Sequence, residues 1–332
     1  MFPSSNLFKD LKLENKPNHI IIQNFTTESG AFYPVINLSY QIFGPELNTA
    51  PVVLVNHALT GNSQVIGENG WWNDLIGKNK TIDTHKYTIL AFNVPGNGFD
   101  GVIIENYTDF TARDIARLFV EGIKFLKIQQ LYAIIGGSVG GGIAWEMIAL
   151  EPKLSLNLIP IATDWKSTDW LIANCFLQEQ ILKNSSNPIE DARIHAMLCY
   201  RTPESFKLKF DRTINEELAI FNIESWLLHH GKKLQKRFQL ASYKMMNQLL
   251  KTIDVTRNSD SFDVFASKIE ATIHIIGINS DLFFTAQENK DTYEDLKKHQ
   301  VNVFYKEIES IHGHDAFLIE YEQLNNLLAP IF

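Results

Sequence analysis

Apolar residues follow two rhythms along this chain. Short runs rich in β-branched and aromatic residues, at 35–43, 51–56, 87–93, 131–136, 156–162, 272–277 and 301–306, predict strands. Several are apolar at every position, the pattern of strands covered by helices on both faces. Between them, apolar positions three and four apart predict helices over 112–126, 140–150, 287–298 and 320–328. Strands alternating with helices imply an α/β fold with a mostly parallel central sheet and helices on both faces. The alternation stops between 164 and 257. That stretch reads as amphipathic helix, for example over 189–199 and 238–253, with no strand. A core domain of 1–163 and 258–332, with a helical lid inserted at 164–257, accounts for both patterns.

The segment that joins the strand at 131–136 to the next helix carries the chemistry. It reads Gly136-Gly137-Ser138-Val139-Gly140-Gly141-Gly142. A G-x-S-x-G between strand and helix is the nucleophile elbow of the α/β-hydrolase fold. Small neighbours are required because the serine occupies a strained turn where strand and helix approach closely. A glycine turn that cradles a phosphate is the alternative, but the first βα unit lacks a dinucleotide fingerprint.

A serine hydroxyl needs a base, and the base needs an orienting acid. In this fold the chain order is serine, acid, histidine. The strand at 272–277 runs into Ser280-Asp281, so Asp281 lies on the rim where the elbow serine also lies. Asp260 and Asp263 are rivals that precede this strand. The base comes from His312-Gly313-His314-Asp315. Chemistry alone permits either histidine. His314 is preferred, because Gly313 permits a tight loop and Ala316-Phe317-Leu318 would begin an apolar helix. His229 and His230 fall in the helical stretch and are expected to face solvent or a partner subunit. The negative charge that develops on the substrate oxygen needs backbone donors. Val139 N–H is one candidate. Leu59 N–H, in the loop after the strand at 51–56, is the other, with Thr60 as the fallback.

Charge and composition narrow the field. The net charge is −8, and the densest basic stretch, Lys232 to Arg237, reads as a solvated helix face, so nucleic acid is not an expected partner. The two cysteines, Cys175 and Cys199, make neither a metal cluster nor a disulfide framework. They suit a reducing compartment, and no metal is expected. No apolar run approaches about 20 residues, the length of a membrane span. The first residues lack a basic stretch followed by an apolar core. A cytoplasmic protein is therefore expected.

Taken together, the landmarks resemble the homoserine O-acetyltransferases of the α/β-hydrolase fold. They are His57-Ala58-Leu59-Thr60-Gly61, Gly70-Trp71-Trp72, Ile82-Asp83-Thr84, the elbow, Arg193 with Tyr200 seven residues on, Tyr243, Ser280-Asp281 and Gly313-His314-Asp315. The segment Trp226 to Gly231 before Arg237-Phe238 resembles the family's lid. The chain departs from the family at Asn93 to Asp100, and at Val139 where a methionine is usual. The resemblance implies acetyl transfer from acetyl-CoA, a co-substrate, to the side-chain hydroxyl of L-homoserine, in methionine biosynthesis. Ser138 would carry the acetyl group in a ping-pong cycle, and no cofactor would be tightly bound. It implies that Arg193, Tyr200 and Asp315 contact homoserine. An amino acid presents a carboxylate for an arginine and an ammonium for an aspartate. Asp315 as a cap of the last helix is the structural alternative. It also implies a homodimer through the lid, for which Met245, Met246, Leu249 and Leu250 are candidates if they are not lid core. A serine hydrolase with the same triad, or a transferase using succinyl-CoA or L-serine, would share most of these features. The residues from Leu59 to Gln64 offer no cation for a succinyl group.

Overall fold

The strand β3, Val52–Asn56, is buried at all five positions. Val52 and Leu54 face one apolar cluster, and Val53 and Val55 face the other. Because successive side chains point to opposite faces, such a strand must lie inside a covered sheet. The computed structural model describes residues 16–257, 261–299 and 301–332. In it β3 lies within an eight-stranded sheet. The other strands are β1 (Asn18–Thr26), β2 (Phe32–Phe43), β4 (Thr88–Phe92), β5 (Leu131–Gly137), β6 (Ser155–Ile161), β7 (Thr272–Ile278) and β8 (Val303–Ile308). Their spatial order is β1-β2-β4-β3-β5-β6-β7-β8. β2 is antiparallel to both its neighbours. Every pairing from β4 to β8 is parallel.

Helices α1 (Ala112–Phe125) and α2 (Val139–Leu150) pack on one face of the sheet through Leu118, Phe119, Trp145 and Ile148. A capping box, with Thr111 and Asp114 exchanging side-chain and backbone bonds, starts α1. On the other face Trp72, Leu75 and Phe317 form a second core with α10 (Tyr321–Leu328). The helix α9 (Ala286–Lys298) joins β7 to β8.

Between β6 and β7 the chain runs through α3 (Asp169–Asn184), α4 (Pro188–Tyr200), α5 (Pro203–Phe210), α6 (Asn222–Gln235), α7 (Leu240–Lys251) and the short α8 (Phe262–Ala266). Where this excursion leaves and rejoins the core, its two ends pair. Ser167 N–H donates to the Ile253 carbonyl at 2.9 Å, and Val255 N–H to that of Trp165 at 3.2 Å.

The structure differs from the sequence expectation in several places. β1 was not expected. It is an edge strand, and within it only Ile20 and Phe25 are buried, too few for a sustained alternation. The helical stretch also holds a small hairpin, Ile214–Asn215 paired with Ile220–Phe221, where no strand was expected. Two residues per strand leave no period to read. Ala316-Phe317-Leu318 close a 3-10 turn, Gly313–Leu318, instead of opening an α-helix. Met245, Met246, Leu249 and Leu250 are all buried within the one chain and belong to its core. His229 is exposed as expected, whereas His230 is half-buried and packs on Trp226 at 4.2 Å.

Candidate active site

Ser138 joins β5 to α2 with φ +56° and ψ −131°. A left-handed φ is costly for a residue with a side chain, roughly 1–3 kcal/mol, and needs support from its surroundings. The surroundings supply it. Ser138 N–H donates to the Ile161 carbonyl on β6 at 2.9 Å. A Cβ on Gly136 would lie 2.6 Å from the Gly140 backbone, and one on Gly141 would lie 2.3 Å from Thr163 Cγ2. Strand and helix can come this close only because both positions lack side chains.

Three buried groups, far apart in sequence, meet here. His314 Nε2 lies 2.9 Å from Ser138 Oγ. His314 Nδ1 lies 2.7 Å from Asp281 Oδ2. Asp281 Oδ1 is itself fixed by the backbone N–H groups of Phe283 and Phe284, at 2.7 and 3.1 Å. With both carboxylate oxygens engaged, Asp281 accepts Nδ1–H and leaves Nε2 to receive the serine proton. The rings of Tyr200, Phe283, Phe284 and Phe317 surround the imidazole, with centroids 5.2–5.9 Å away. The rival histidine is accounted for elsewhere: His312 Nδ1 lies 2.9 Å from Ser205 Oγ. Asp263 is bonded to His299 at 2.7 Å, and Asp260 lies outside the described residues.

Ser138 opens onto a pocket also lined by Leu59, Thr60, Arg193, Tyr200 and Asp315. Val139 is the first residue of α2, where a helix leaves its N–H groups without intrahelical partners. The loop containing Leu59 is drawn to the same helix: Asn56 Nδ2 donates to the Gly140 carbonyl at 3.2 Å. Arg193 and Tyr200 stand two turns apart on α4, which puts them on one face. The guanidinium lies 5.8 Å from the Tyr200 ring centroid. Enclosure holds the Tyr200 hydroxyl well above its usual range, so it stays a neutral phenol. Among the described residues no carboxylate lies within ion-pair reach of Arg193. Asp315 is not a helix cap, since Glu320 precedes α10. It pairs instead with Arg201 Nε, at 2.9 Å.

The comparisons with known proteins fit this picture. The family model described as the α/β hydrolase fold matches residues 51–190. The homoserine O-acetyltransferase of Cyclobacterium marinum is 33% identical over 331 residues, covering 92% of each chain. This chain belongs to the homoserine O-acetyltransferase family. The Methanococcus vannielii homoserine O-acetyltransferase is 32% identical, over 94% of this chain and 70% of its own. Among solved structures, homoserine O-acetyltransferase from Bacillus anthracis superposes with a TM-score of 0.85 at 20% identity, covering 95% of this chain and 97% of that one. Esterase E22 does so with a TM-score of 0.84 at 17% identity, covering 95% and 99%. Those two likenesses show a common fold.

As a member of the homoserine O-acetyltransferase family the chain is an acyltransferase enzyme. Two cations bond to residues that line the pocket: Arg201, which the sequence did not single out, and Arg237, read there as the end of a solvated basic stretch. Arg201 was hidden because its partner lies 114 residues away. Arg237, just past α6, donates from Nη1 to the Thr60 carbonyl at 2.9 Å. Thus a cation does reach the loop that starts at Leu59, though not from within that loop. Among the described residues no three metal-ligating side chains cluster. No helix among them is long and apolar enough to cross a membrane.

Proposed function

We propose that the enzyme transfers an acetyl group from acetyl-CoA to the side-chain hydroxyl of L-homoserine, through an acetyl ester on Ser138. One observation carries the reading: a serine–histidine–aspartate relay opens on a pocket that also holds an arginine without a carboxylate partner and an aspartate. A relay alone would suit any acyl acceptor. An oppositely charged pair at its mouth suits an acceptor with both a carboxylate and an ammonium.

His314 takes the Ser138 proton as Oγ attacks the thioester carbonyl. Negative charge moves to the carbonyl oxygen, facing the N–H groups of Leu59 and Val139. Each such donor contributes about 3–4 kcal/mol in related chemistry. When the intermediate collapses, the carbon–sulfur bond breaks and His314 protonates the departing thiolate. Homoserine then binds, with its carboxylate on Arg193 beside the Tyr200 ring and its ammonium on Asp315. His314 removes the homoserine hydroxyl proton, and that oxygen attacks the acetyl-serine. Collapse releases O-acetylhomoserine and returns the proton to Ser138 Oγ. Two half-reactions on one serine make the kinetics ping-pong. The product serves methionine biosynthesis.

In this reading residues 164–257 form the lid, since Arg193, Tyr200 and Arg237 all belong to them. Exposed Phe176, Leu177 and Leu198 on its helices support a homodimer through the same segment. A succinyl donor would call on Arg237, the cation at Thr60. Its Nη1 is committed to the loop carbonyl, and this favours acetyl.

The test follows thiol release and, in parallel, the mass of the intact enzyme. Acetyl-CoA alone should give one turnover and an acetyl group on Ser138; L-homoserine should then restart turnover. Ser138→Ala should abolish both. Steady thiol release that ignores homoserine would make the enzyme a hydrolase, and faster turnover with succinyl-CoA would change the donor.

A further inference from the structure

The peptide unit between Ala58 and Leu59 is gripped by its oxygen. The Ala58 carbonyl accepts from Gly61 N–H at 2.9 Å and lies 2.8 Å from His57 Nδ1. A carbonyl can only accept, so Nδ1 carries a proton. The other side of the ring agrees. Nε2 lies 3.1 Å from Val94 N and 3.2 Å from Asn97 Nδ2, where Val94 N–H has nothing to offer but its proton. Nε2 therefore has none of its own, and the ring is neutral in a single tautomer. Only 2% of the residue is exposed. Burial pushes its pKa down to about 4, so both bonds persist through the neutral range.

In a planar trans peptide the C=O and the following N–H point in opposite directions. Two donors that hold the Ala58 oxygen on one side therefore turn Leu59 N–H to the other. Leu59 and Ser138 line the same pocket. The start of the loop is braced as well: a Cβ on Gly140 would lie 2.5 Å from the Asn56 oxygen and 2.7 Å from that of His57. We propose that neutral His57 is a positioning residue, whose Nδ1–H fixes the Ala58–Leu59 peptide so that Leu59 N–H aims at the acyl oxygen above Ser138. The proposal rests on the reading of Leu59 as a donor to that oxygen.

Two amide substitutions separate the two ends of the ring. In His57→Asn the amide nitrogen falls near the place of Nδ1, which keeps the grip on Ala58 and loses the acceptor for Val94. In His57→Gln the amide reaches the place of Nε2, which keeps the Val94 bond and loses the grip. Single-turnover thiol release from acetyl-CoA reads the result. His57→Gln should slow acylation by about 30-fold or more, short of the roughly hundredfold or greater loss on deleting a donor outright, and His57→Asn by less than about fivefold. The KM for homoserine should stay the same in both. A residue that merely supports the fold would give equal losses in the two variants, and that result overturns the proposal. So does a His57→Gln acylation rate within about threefold of wild type. If either variant fails to fold, nitrogen NMR of the wild-type ring decides. An Nδ1–H tautomer from about pH 6 to 8 supports the proposal, and an Nε2–H or charged ring overturns it. Acetylation of Ser138 in the wild type separates the layers. If it is absent, the reading underneath has failed; if it is present and the two variants behave alike, only the role of His57 has failed.

Discussion

Gly137→Ala perturbs the relay without touching any of its members. A Cβ on Gly137 would lie 2.5 Å from Phe317 Cε2, 2.9 Å from Cζ and 3.0 Å from Cδ2. Ordinary contact begins near 3.4 Å, so ring or strand must give by roughly 0.9 Å. Neither can move freely. Gly137 is the last residue of β5, next to Ser138. Phe317 is buried in the short turn that carries His314, and its ring packs 5.8 Å from the imidazole. The displacement therefore opens the 2.9 Å gap between Ser138 and His314. Misplacement by about 1 Å costs roughly a hundredfold in rate, and overpacking costs about 1–3 kcal/mol of stability. Acylation measured in a single turnover should fall by about a hundredfold, with a modest drop in Tm. Adding Phe317→Leu, which makes room, should recover at least about tenfold. Acylation within threefold of wild type, alongside the expected loss of Tm, would refute the reasoning. It would mean that the strain relaxes away from the relay.

Other perturbations should separate acceptor binding from acylation. Arg193→Met removes a charge-assisted bond of about 1.5–3 kcal/mol, so the KM for homoserine should rise about 10- to 100-fold while single-turnover acylation is unchanged. Arg201→Met leaves Asp315 without its partner, and the same two assays should show a rise in KM of about tenfold with intact acylation. Asp164 is buried, and its carboxylate bonds to Thr292, Asn289 and the Trp165 N–H. Burial outweighs these bonds and pushes its pKa up to about 7. The folded state then holds a proton that the unfolded state releases near pH 4. Stability from this group is complete below about pH 4 and is lost as pH rises toward 7, at up to about 1.4 kcal/mol per unit. Asp164→Asn should flatten the denaturation midpoint against pH by that amount, and an unchanged slope would count against a protonated Asp164.

The centre of the sheet was legible because β3 and β4 are buried at every position and β5 at nearly every one, and α1 and α9 because each opens on a capping box. The strand after 300 shows the ordinary boundary error: expected over 301–306, it occupies Val303–Ile308. β1 escaped because an edge strand needs few buried positions. Ser138, Asp281 and His314 were legible as residue types in a fixed order along the chain. The choice between His312 and His314 was not, since each lies in the same loop. Asp281 Oδ2 and Ser205 Oγ, one beside each ring, distinguish them in space. The partner of Asp315, the grip of Arg237 on Thr60 and the tautomer of His57 are tertiary facts. No local pattern encodes which carbonyl a distant guanidinium will reach.

The paired ends near Trp165 and Val255 have a consequence for how this enzyme can change. All the traffic between the sheet and the intervening helices passes through two neighbouring threads of chain. Closing a loop whose ends are already tied adds little entropy cost as its length changes. What lies beyond the tie can thus lengthen, shorten or be exchanged, provided the new stretch restores the ring of Tyr200 beside His314 and the hydroxyl of Ser205 at His312. The residues beyond it include Arg193 and Tyr200. Grafting the corresponding stretch from a relative onto this chain should hand over the choice of acceptor and leave the making of the acyl ester as it was.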